Sequence, residues 1–188
     1  LPYTIQNYLA DQIQVPRMST DLPEFEEAEK AVEQKIAKLM AIQGSRSVDS
    51  IHRELGLVMW DFVGMGRTAE GLNKALKKIR DIKKLFWSEV FIPGTADDLN
   101  IELEKALRLA DFIEIGELMA LDALNREESR GGHFREEYQT PEGETLRQDD
   151  KFSYVSCWKY NGEDIEPTLI KEPLDYEFTE RMTRNYKA

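Results

Sequence analysis

The longest helical pattern in this sequence ends near a double glycine, Gly131-Gly132, that is surrounded by charged residues and one histidine. Glycine adopts backbone conformations that other residues resist, so the pair indicates a sharp change of chain direction. Arginine guanidinium groups bind carboxylates through paired hydrogen bonds. We therefore interpret residues 126–135, called the joint below, as a buried polar connection. Its expected members are Arg126, Glu128, Ser129, Arg130, Gly131, His133 and Arg135.

Five segments before the joint place apolar residues three and four positions apart, which is typical of helices with one buried face. They cover about residues 2–15, 23–43, 47–65, 68–86 and 98–127. The last segment is apolar on two sides, so we expect it to be the central helix, with neighbours on both sides. Residues on these apolar faces include Ile5, Leu9 and Ile13, then Phe25 and Val32, Phe62 and Met65, Leu72 and Phe86, and Leu99 and Leu103.

Three of these helices begin at residues whose side chains accept hydrogen bonds from free backbone amides. Ser47 and Thr68 are the expected N-caps of the third and fourth helices. The segment Thr95-Ala96-Asp97-Asp98 predicts a capping box for the longest helix. These positions fix where we expect the bundle helices to start.

Beyond the joint the pattern changes from helical to strand-like. Aromatic residues alternate with other residues from 152 to 160, and Asn161-Gly162 predicts a hairpin turn. The return strand, about residues 165–171, contains Pro167, so we expect it at a sheet edge. The tail from residue 174 to residue 188 predicts no element. The residues alone thus indicate a mainly helical bundle with a small β appendage.

The overall charge and the apolar pattern exclude several classes of function. A net charge of −11 disfavours nucleic-acid binding, because phosphates would be repelled. The sequence has no apolar run of about 18 residues, so we expect no direct membrane insertion. Cys157 is the only cysteine, so no internal disulfide can form, which fits a reducing compartment.

Two local patterns are candidates for catalytic or cofactor sites. His133 lies near Glu136 and Glu137, but catalytic zinc takes three protein ligands and the only other histidine is His52. We therefore expect His133 to be structural. Residues 64–66, Gly-Met-Gly, lack the third glycine and the preceding strand of a dinucleotide loop, so we expect a helix–helix corner. We predict no catalytic, cofactor-binding or metal-binding residue in this chain.

A basic face lies on the fourth helix of this otherwise acidic chain. A solvated face, directed toward water or the acidic second helix, is the favoured interpretation. The alternative is a docking surface for an acidic partner, which would make the chain a stand-alone acidic interaction module. The face comprises Lys74, Lys77, Lys78, Arg80, Lys83 and Lys84.

Residues 126–135, which read REESRGGHFR, resemble a motif of one enzyme family. The carboxy-terminal region of the flavoprotein subunit of succinate dehydrogenase and fumarate reductase typically reads R-x-ESRGAH-x-R there. Residues 147–150, Arg-Gln-Asp-Asp, are similar to a cluster that follows in that family, which adds Asp149 and Asp150 to the expected joint. Residues 54–59 and 66–68 resemble its first bundle helices, and Arg184-Asn185-Tyr186 is similar to its usual ending.

The resemblance covers nearly all of the chain, with two departures. Gly132 stands where alanine is usual, and Glu136-Glu137-Tyr138 replaces a more common single aspartate. L-aspartate oxidase shares the core motif but normally lacks the later acidic cluster. Residues 147–150 therefore favour the dehydrogenase and reductase branch, and L-aspartate oxidase is the alternative.

The resemblance implies a fold and a division of labour. The expected fold is a three-helix bundle of spectrin-repeat type with an extra N-terminal helix and a small C-terminal β-hairpin. Residues 1–22 would be the helix leaving an FAD domain together with a linker, residues 23–128 the bundle domain, and residues 129–188 the joint, hairpin and tail. Arg130 and Arg135 would pair with Glu128, Asp149 or Asp150.

The resemblance also implies cofactors and partners for a longer parent. The parent would interconvert succinate and fumarate with FAD, and its catalytic and FAD-binding residues would lie in domains that precede this region. This chain would brace its own FAD-binding domain and contact an iron–sulfur subunit. The parent would be cytoplasmic and peripheral on the membrane, held there by partner subunits. Without the FAD domain, exposed apolar area is expected to favour dimerisation.

Overall fold

The computed structural model describes residues 1–162 and 164–182. Within these residues the chain is mainly helical, and the expected fold class is confirmed. Strands β1 and β2 form a short parallel pair that the sequence did not indicate, and β3 and β4 form an antiparallel hairpin. The elements are α1 (Pro2–Gln12), α2 (Pro23–Ala41), β1 (Arg46–Ser47), α3 (Val48–Val63), α4 (Ala69–Glu89), β2 (Val90–Phe91), α5 (Ile101–Asn125), α6 (Asp149–Phe152), β3 (Tyr154–Lys159) and β4 (Thr168–Pro173).

Helices α3, α4 and α5 pack around one apolar core. The expected inner face of α4 is confirmed, since every apolar residue at its periodic positions is buried. Burying a leucine, isoleucine or phenylalanine side chain stabilises the fold by about 1.5–3 kcal/mol each. None of the described helices has the length and apolarity to cross a bilayer. The buried α4 residues are Leu72, Ala75, Leu76, Ile79, Ile82 and Phe86.

Helices α1 and α2 depart from the expected burial. Helix α1 has no buried residue, and α2 buries only Leu39, near its carboxyl end. Phe25 and Val32, on the apolar face of α2, are 45% and 54% exposed. The periodicity predicted the helices correctly but not their burial, because no described element covers the first half of α2 or any of α1.

The ends of the bundle helices also differ from expectation at two places. Helix α3 ends at Val63, so Met65 lies beyond it and is 91% exposed. Helix α5 begins at Ile101 rather than at residue 98, because the Asn100 side chain accepts a hydrogen bond from the Leu103 amide at 3.0 Å. The predicted capping box at residues 95–98 is therefore wrong, and Leu99 is exposed. The expected caps Ser47 and Thr68 are confirmed.

The hairpin is shifted relative to the predicted strands. Residue 152 lies in the short helix α6, and β4 starts at Thr168, so the connection is longer than a two-residue turn. Pro167 precedes β4, which leaves the strand ladder intact, and the register pairs Tyr154 with Pro173. No regular element is seen in residues 174–182. The similarity at Arg184-Asn185-Tyr186 lies outside the described residues.

Candidate functional site

Glu128 lies at the centre of the joint and is completely buried. One of its oxygens accepts hydrogen bonds from Arg126 Nη1 at 3.0 Å and Arg130 Nε at 2.7 Å. The other accepts from Arg130 Nη2 at 3.0 Å and from the Gln148 amide at 2.7 Å. Burial by itself raises the pKa of Glu128, but the hydrogen bonds from Arg130, the Gln148 amide and Arg126 together lower it below the ordinary value. The carboxylate is therefore held ionised inside the fold.

Asp149 extends this network toward the carboxyl end of the chain. Arg130 Nη2 contacts one carboxylate oxygen of Asp149 at 2.6 Å, and Arg147 Nη2 contacts the other at 2.8 Å. Arg147 also donates to the Met182 carbonyl at 2.8 Å, so the chain that follows β4 is attached to the network. The expected pairs of Arg130 with Glu128 and Asp149 are present. Asp150 is exposed and forms no ion pair within the described part of the chain.

Arg126 connects the joint to the hairpin. It is the residue that directly follows α5, and its guanidinium donates to the carbonyls of Phe152 at 3.1 Å and Tyr154 at 3.0 Å. Its carbon Cζ lies 5.0 Å from the centre of the Tyr154 ring, which is a cation–π distance. Arg126 also binds Glu128. It therefore connects the end of α5, the buried carboxylate and the start of β3.

A tight turn closes the joint on itself. Gly131 has φ of +56°, in the left-handed region that favours glycine, whereas Gly132 does not have a positive φ. On either side, the amides and carbonyls of Arg130 and His133 bond to each other at 2.8 and 3.0 Å. The buried Ser129 hydroxyl accepts from the Arg135 amide and donates to the Arg135 carbonyl. These bonds pair the backbone groups of the joint, which lie beyond the last helical hydrogen bonds of α5.

Arg135 has a different partner from the one expected. Its Nη1 donates to the carbonyls of Ala123 and Leu124, at 2.9 and 3.2 Å, which are free because α5 ends there. Its carboxylate partner is Glu137, with Nε to Oε2 at 3.1 Å, rather than Glu128, Asp149 or Asp150. A cation beside the negative end of a helix is favourable, so Arg135 acts as a side-chain cap of α5.

Two further residues cap the other bundle helices at the same place. The Arg67 Nε donates to the carbonyls of Val63 and Gly64, at 3.1 and 3.0 Å, at the end of α3. The Glu137 carboxylate accepts from the Ala69 amide at the start of α4, which is the positive end of that helix. Together with Arg135, these side chains hold one end of each of the three bundle helices.

Sequence reasoning missed Arg67 and Glu137 as members of the joint. Arg67 belongs to the segment 66–68 that carried the family resemblance, but nothing in one sequence placed it beside residue 133. A backbone bridge brings them together, since the Arg67 amide donates to the Phe134 carbonyl at 3.1 Å. An arginine within four residues of a helix end, together with a glutamate shortly after the joint, was the available signal.

His133 is held in one tautomer between two of these groups. Its Nδ1 lies 2.9 Å from Arg67 Nη1, which can only donate, so Nδ1 accepts. Its Nε2 then donates to the Arg126 carbonyl at 2.9 Å. Burial lowers the pKa of His133, and the charges of Arg67, Arg135 and Arg126 lower it further, against the bond to the Arg126 carbonyl, which raises it. The imidazole is therefore neutral, and both of its nitrogens are occupied by hydrogen bonds within the joint.

The described residues contain no group of histidine, cysteine, aspartate and glutamate side chains that could hold a metal ion. Residues 64–66 connect α3 to α4, as expected for a helix corner. In the joint, arginines hold the carboxylates of Glu128, Asp149 and Glu137 in place. The arrangement can hold helix ends and a hairpin in place.

Three of the six residues of the basic face of α4, Lys74, Arg80 and Lys83, form ion pairs with described residues. Arg80 binds Glu117 of α5 at 2.6 Å and Glu166 of the hairpin connection at 2.8 Å. Lys83 binds Glu114 at 2.8 Å and Asp164 at 3.6 Å. The favoured interpretation placed this face toward water or the second helix, whereas the acidic partners of Arg80 and Lys83 lie on α5 and in the hairpin connection. These ion pairs also attach the hairpin connection to the bundle.

Comparison with known proteins gives consistent matches. A family model described as the C-terminal region of the fumarate reductase flavoprotein matches residues 52–186. The fumarate reductase flavoprotein subunit of Serratia sp. is 34% identical over 132 residues, which cover 70% of this chain and 21% of that protein. The succinate dehydrogenase flavoprotein subunit of Bacillus subtilis is 27% identical over 169 residues, which cover 90% of this chain and 27% of that protein.

A solved structure of Escherichia coli quinol fumarate reductase, carrying one substitution, superposes with a TM-score of 0.75 at 25% identity. The match covers 91% of this chain and 28% of that chain. The chain thus spans about a fifth to a quarter of the length of the Serratia and Bacillus relatives. These matches confirm the resemblance found in the sequence, and they do not favour the alternatives of an L-aspartate oxidase or a stand-alone module.

Proposed function

This chain belongs to the family of fumarate reductase flavoprotein C-terminal domains, and from that premise we propose that it braces the catalytic part of a longer flavoprotein. The parent interconverts succinate and fumarate with FAD. The observation that carries the proposal is the joint, where buried ion pairs and side-chain caps fasten the ends of α3, α4 and α5 and the hairpin. This arrangement suits a rigid support.

FAD is assigned to the rest of the parent because the described residues do not fit it. Dinucleotides bind where a glycine-rich turn follows a strand and opens a helix, so that backbone amides reach the phosphates. Gly64 and Gly66 instead lie between two helices. The side chain of Glu136 fills the space beside Gly66, with a carboxylate oxygen 2.7 Å from the position of an added Cβ. That carboxylate would repel a phosphate.

The FAD-binding domain would pack on the exposed apolar faces of α1 and α2. Ile5 and Leu9 of α1 are 52% and 54% exposed, and Phe25 and Val32 of α2 are exposed to a similar extent. Exposed apolar faces of this extent mark interaction surfaces. In the absence of that domain the same faces favour dimerisation of the chain. The division at residues 22 and 128, and the interface role of the joint residues, stay predictions.

The relatives support a proposal about partner subunits. The superposed structure is a quinol fumarate reductase, and we infer that the parent of this chain also passes electrons to an iron–sulfur subunit. Through such subunits it would be peripheral on the cytoplasmic face of the membrane. In this proposal the chain supports the FAD-binding domain beside the contact with the iron–sulfur subunit.

The experiment compares this chain with the full-length protein encoded by its reading frame. The full-length protein should purify with flavin, seen by its visible absorbance, and should reduce fumarate with a reduced dye. This chain alone should do neither. Flavin bound tightly to this chain alone, or a full-length protein that carries flavin but acts on neither succinate nor fumarate, would contradict the proposal.

A further inference from the structure

We propose that an open cavity between α5, Arg67 and the start of β3 is a binding site for a carboxylate group. The cavity has a volume of about 420 Å³. This inference does not depend on the proposed function, because it rests on the charges and hydrogen bonds of this chain. The side chains that matter to it are Arg67, Met119, Arg126, Arg130, His133 and Tyr154.

Arg67 is a cation of this cavity without a carboxylate partner among the described residues. Its Nε is used by the helix-end carbonyls and its Nη1 by His133, while its Nη2 makes no hydrogen bond to any described residue. Burial lowers the pKa of Arg67, and only the more distant charge of Asp122 opposes this. A half-buried guanidinium without a carboxylate partner is stabilised when it binds a carboxylate, because the two oxygens match its paired donors.

The charges around the cavity are not balanced. Three guanidinium groups line the cavity, those of Arg67, Arg126 and Arg130, beside one carboxylate, that of Asp122. Behind the lining, Arg126 and Arg130 are paired with Glu128 and Asp149. One oxygen of Asp122 accepts from the indole of Trp158 at 2.8 Å. Arg67 is thus the lining guanidinium that no described carboxylate pairs with, in a protein with a net charge of −11, so its side of the cavity attracts an anion.

Tyr154 provides an independent sign of a missing ligand atom. It is 7% exposed, and its buried hydroxyl has no hydrogen-bond partner among the described residues. A buried hydroxyl without a partner costs about 1–3 kcal/mol, so such groups are rare in folded proteins. The Lys171 ammonium lies 4.6 Å from the centre of its ring and adds positive charge on this side.

A carboxylate in the cavity would bind Arg67 Nη2, and it could be a free small anion or the side chain of an acidic residue. Both sources share the same chemistry, and the experiment separates them. Met119 lines the cavity and is 49% exposed, so its side chain can be replaced without opening the core. Glutamate and glutamine have helix propensities close to that of methionine.

The first arm compares Met119→Glu with the matched control Met119→Gln by thermal unfolding. The glutamate places a carboxylate at the cavity, so the Glu variant should unfold roughly 2–4 °C above the Gln variant, as expected for a gain of about 1 kcal/mol. Equal unfolding temperatures, or a less stable Glu variant, would count against a carboxylate side chain as the ligand, and the second arm then decides whether a free carboxylate binds.

The second arm titrates the wild-type chain with sodium acetate at constant ionic strength and follows the ring signals of His133 by NMR. We expect a saturable shift and a rise in the pKa of His133, both lost in Met119→Glu and kept in Met119→Gln. Saturation by acetate identifies a free carboxylate as a ligand. A more stable Glu variant without acetate binding identifies an acidic side chain as the source.

Two results would overturn the inference. One is that the Glu variant is no more stable than the Gln variant and that acetate changes the His133 signals no more than chloride does. The other is phosphate binding more tightly than acetate, which would assign the cavity to a different class of anion. Neither result bears on the flavin content of the full-length protein, so the two proposals fail separately.

Discussion

At the scale of single residues, we expect Glu128 to contribute most to the stability of the joint. Replacing it with alanine leaves Arg126 and Arg130 half-buried with fewer counter-charges, and removing one partner of a buried ion pair costs about 3–5 kcal/mol. We expect Glu128→Ala to lower the free energy of unfolding by that amount in urea titrations. Glu127→Ala, at the exposed neighbouring position, is the matched control and should be close to neutral. Similar effects of the two substitutions would contradict a buried network.

His133 should make stability depend on pH. Its folded pKa lies below the ordinary value of 6.5, so the folded state binds fewer protons than the unfolded state below that pH. The stability it contributes is complete above 6.5 and is lost as the pH falls through the folded pKa. Urea titrations at about pH 7.5 and about pH 5.5 should show this decrease.

The control for this pH dependence is a pair of substitutions. His133→Gln keeps one acceptor and one donor but does not titrate, so the decrease should become smaller. His52→Gln, on the exposed face of α3, should leave it unchanged. A wild-type decrease that persists in His133→Gln would assign the effect to other groups.

The two glycines of the joint should respond differently to alanine. Gly131 has a positive φ, and a residue with a Cβ in the left-handed region costs about 1–2 kcal/mol. Gly132 has no positive φ, and an added Cβ would meet no described atom within 4 Å. We expect Gly131→Ala to be destabilised by that amount in thermal unfolding and Gly132→Ala to be nearly neutral. The reverse order would contradict the described turn.

The residue scale also shows what one sequence could predict of the site. The charged types and the double glycine predicted a buried ionic joint, and the pairs of Arg130 with Glu128 and Asp149 followed from the resemblance. The partner of Arg135 was wrong because helix-end carbonyls, which no side-chain motif records, compete with carboxylates for its donors. Arg67 was missed because its position depends on how α3 and α4 meet.

At the scale of elements, the start of α5 tests the physical account of helix ends. Asn100 accepts from the Leu103 amide and its amide nitrogen donates to the Pro93 carbonyl at 2.8 Å. Truncating an N-cap of this type costs about 1 kcal/mol, so Asn100→Ala should lower the unfolding midpoint in urea. Asp98→Ala, in the segment that the sequence favoured, should have little effect. A larger loss of stability for Asp98→Ala than for Asn100→Ala would instead support the capping box at residues 95–98.

Helix interiors were easier to predict than helix ends or helix burial. The spacing of Leu72, Ile79 and Phe86 predicted both a helix and its buried face, because neighbours on two sides cover that face. The same spacing in α1 and α2 predicted helices whose apolar faces are exposed. Periodicity reports that a face is apolar, whereas burial depends on what lies against it. The α6 turn and the short β1–β2 pair depend on contacts between distant segments and gave no local signal.

At the scale of the whole molecule, the joint and the exposed α1–α2 face lie on different parts of the chain and have different roles. The joint fixes the relative positions of α3, α4, α5 and the hairpin through Glu128, Arg135 and Glu137. The exposed face has the apolar character of an interface. A bundle with joined helix ends and an uncovered apolar face fits the proposed role as a supporting domain.

The measurement that tests this account most directly is hydrogen–deuterium exchange of this chain and of the full-length flavoprotein under the same conditions. Slow exchange reports buried, stable elements. Amides of α5 should be protected in both proteins, and those of α1 and the first half of α2 should exchange quickly in this chain and slowly in the full-length protein. Equal, fast exchange of α1 and α2 in both would contradict the claim that this face supports the catalytic part of the parent.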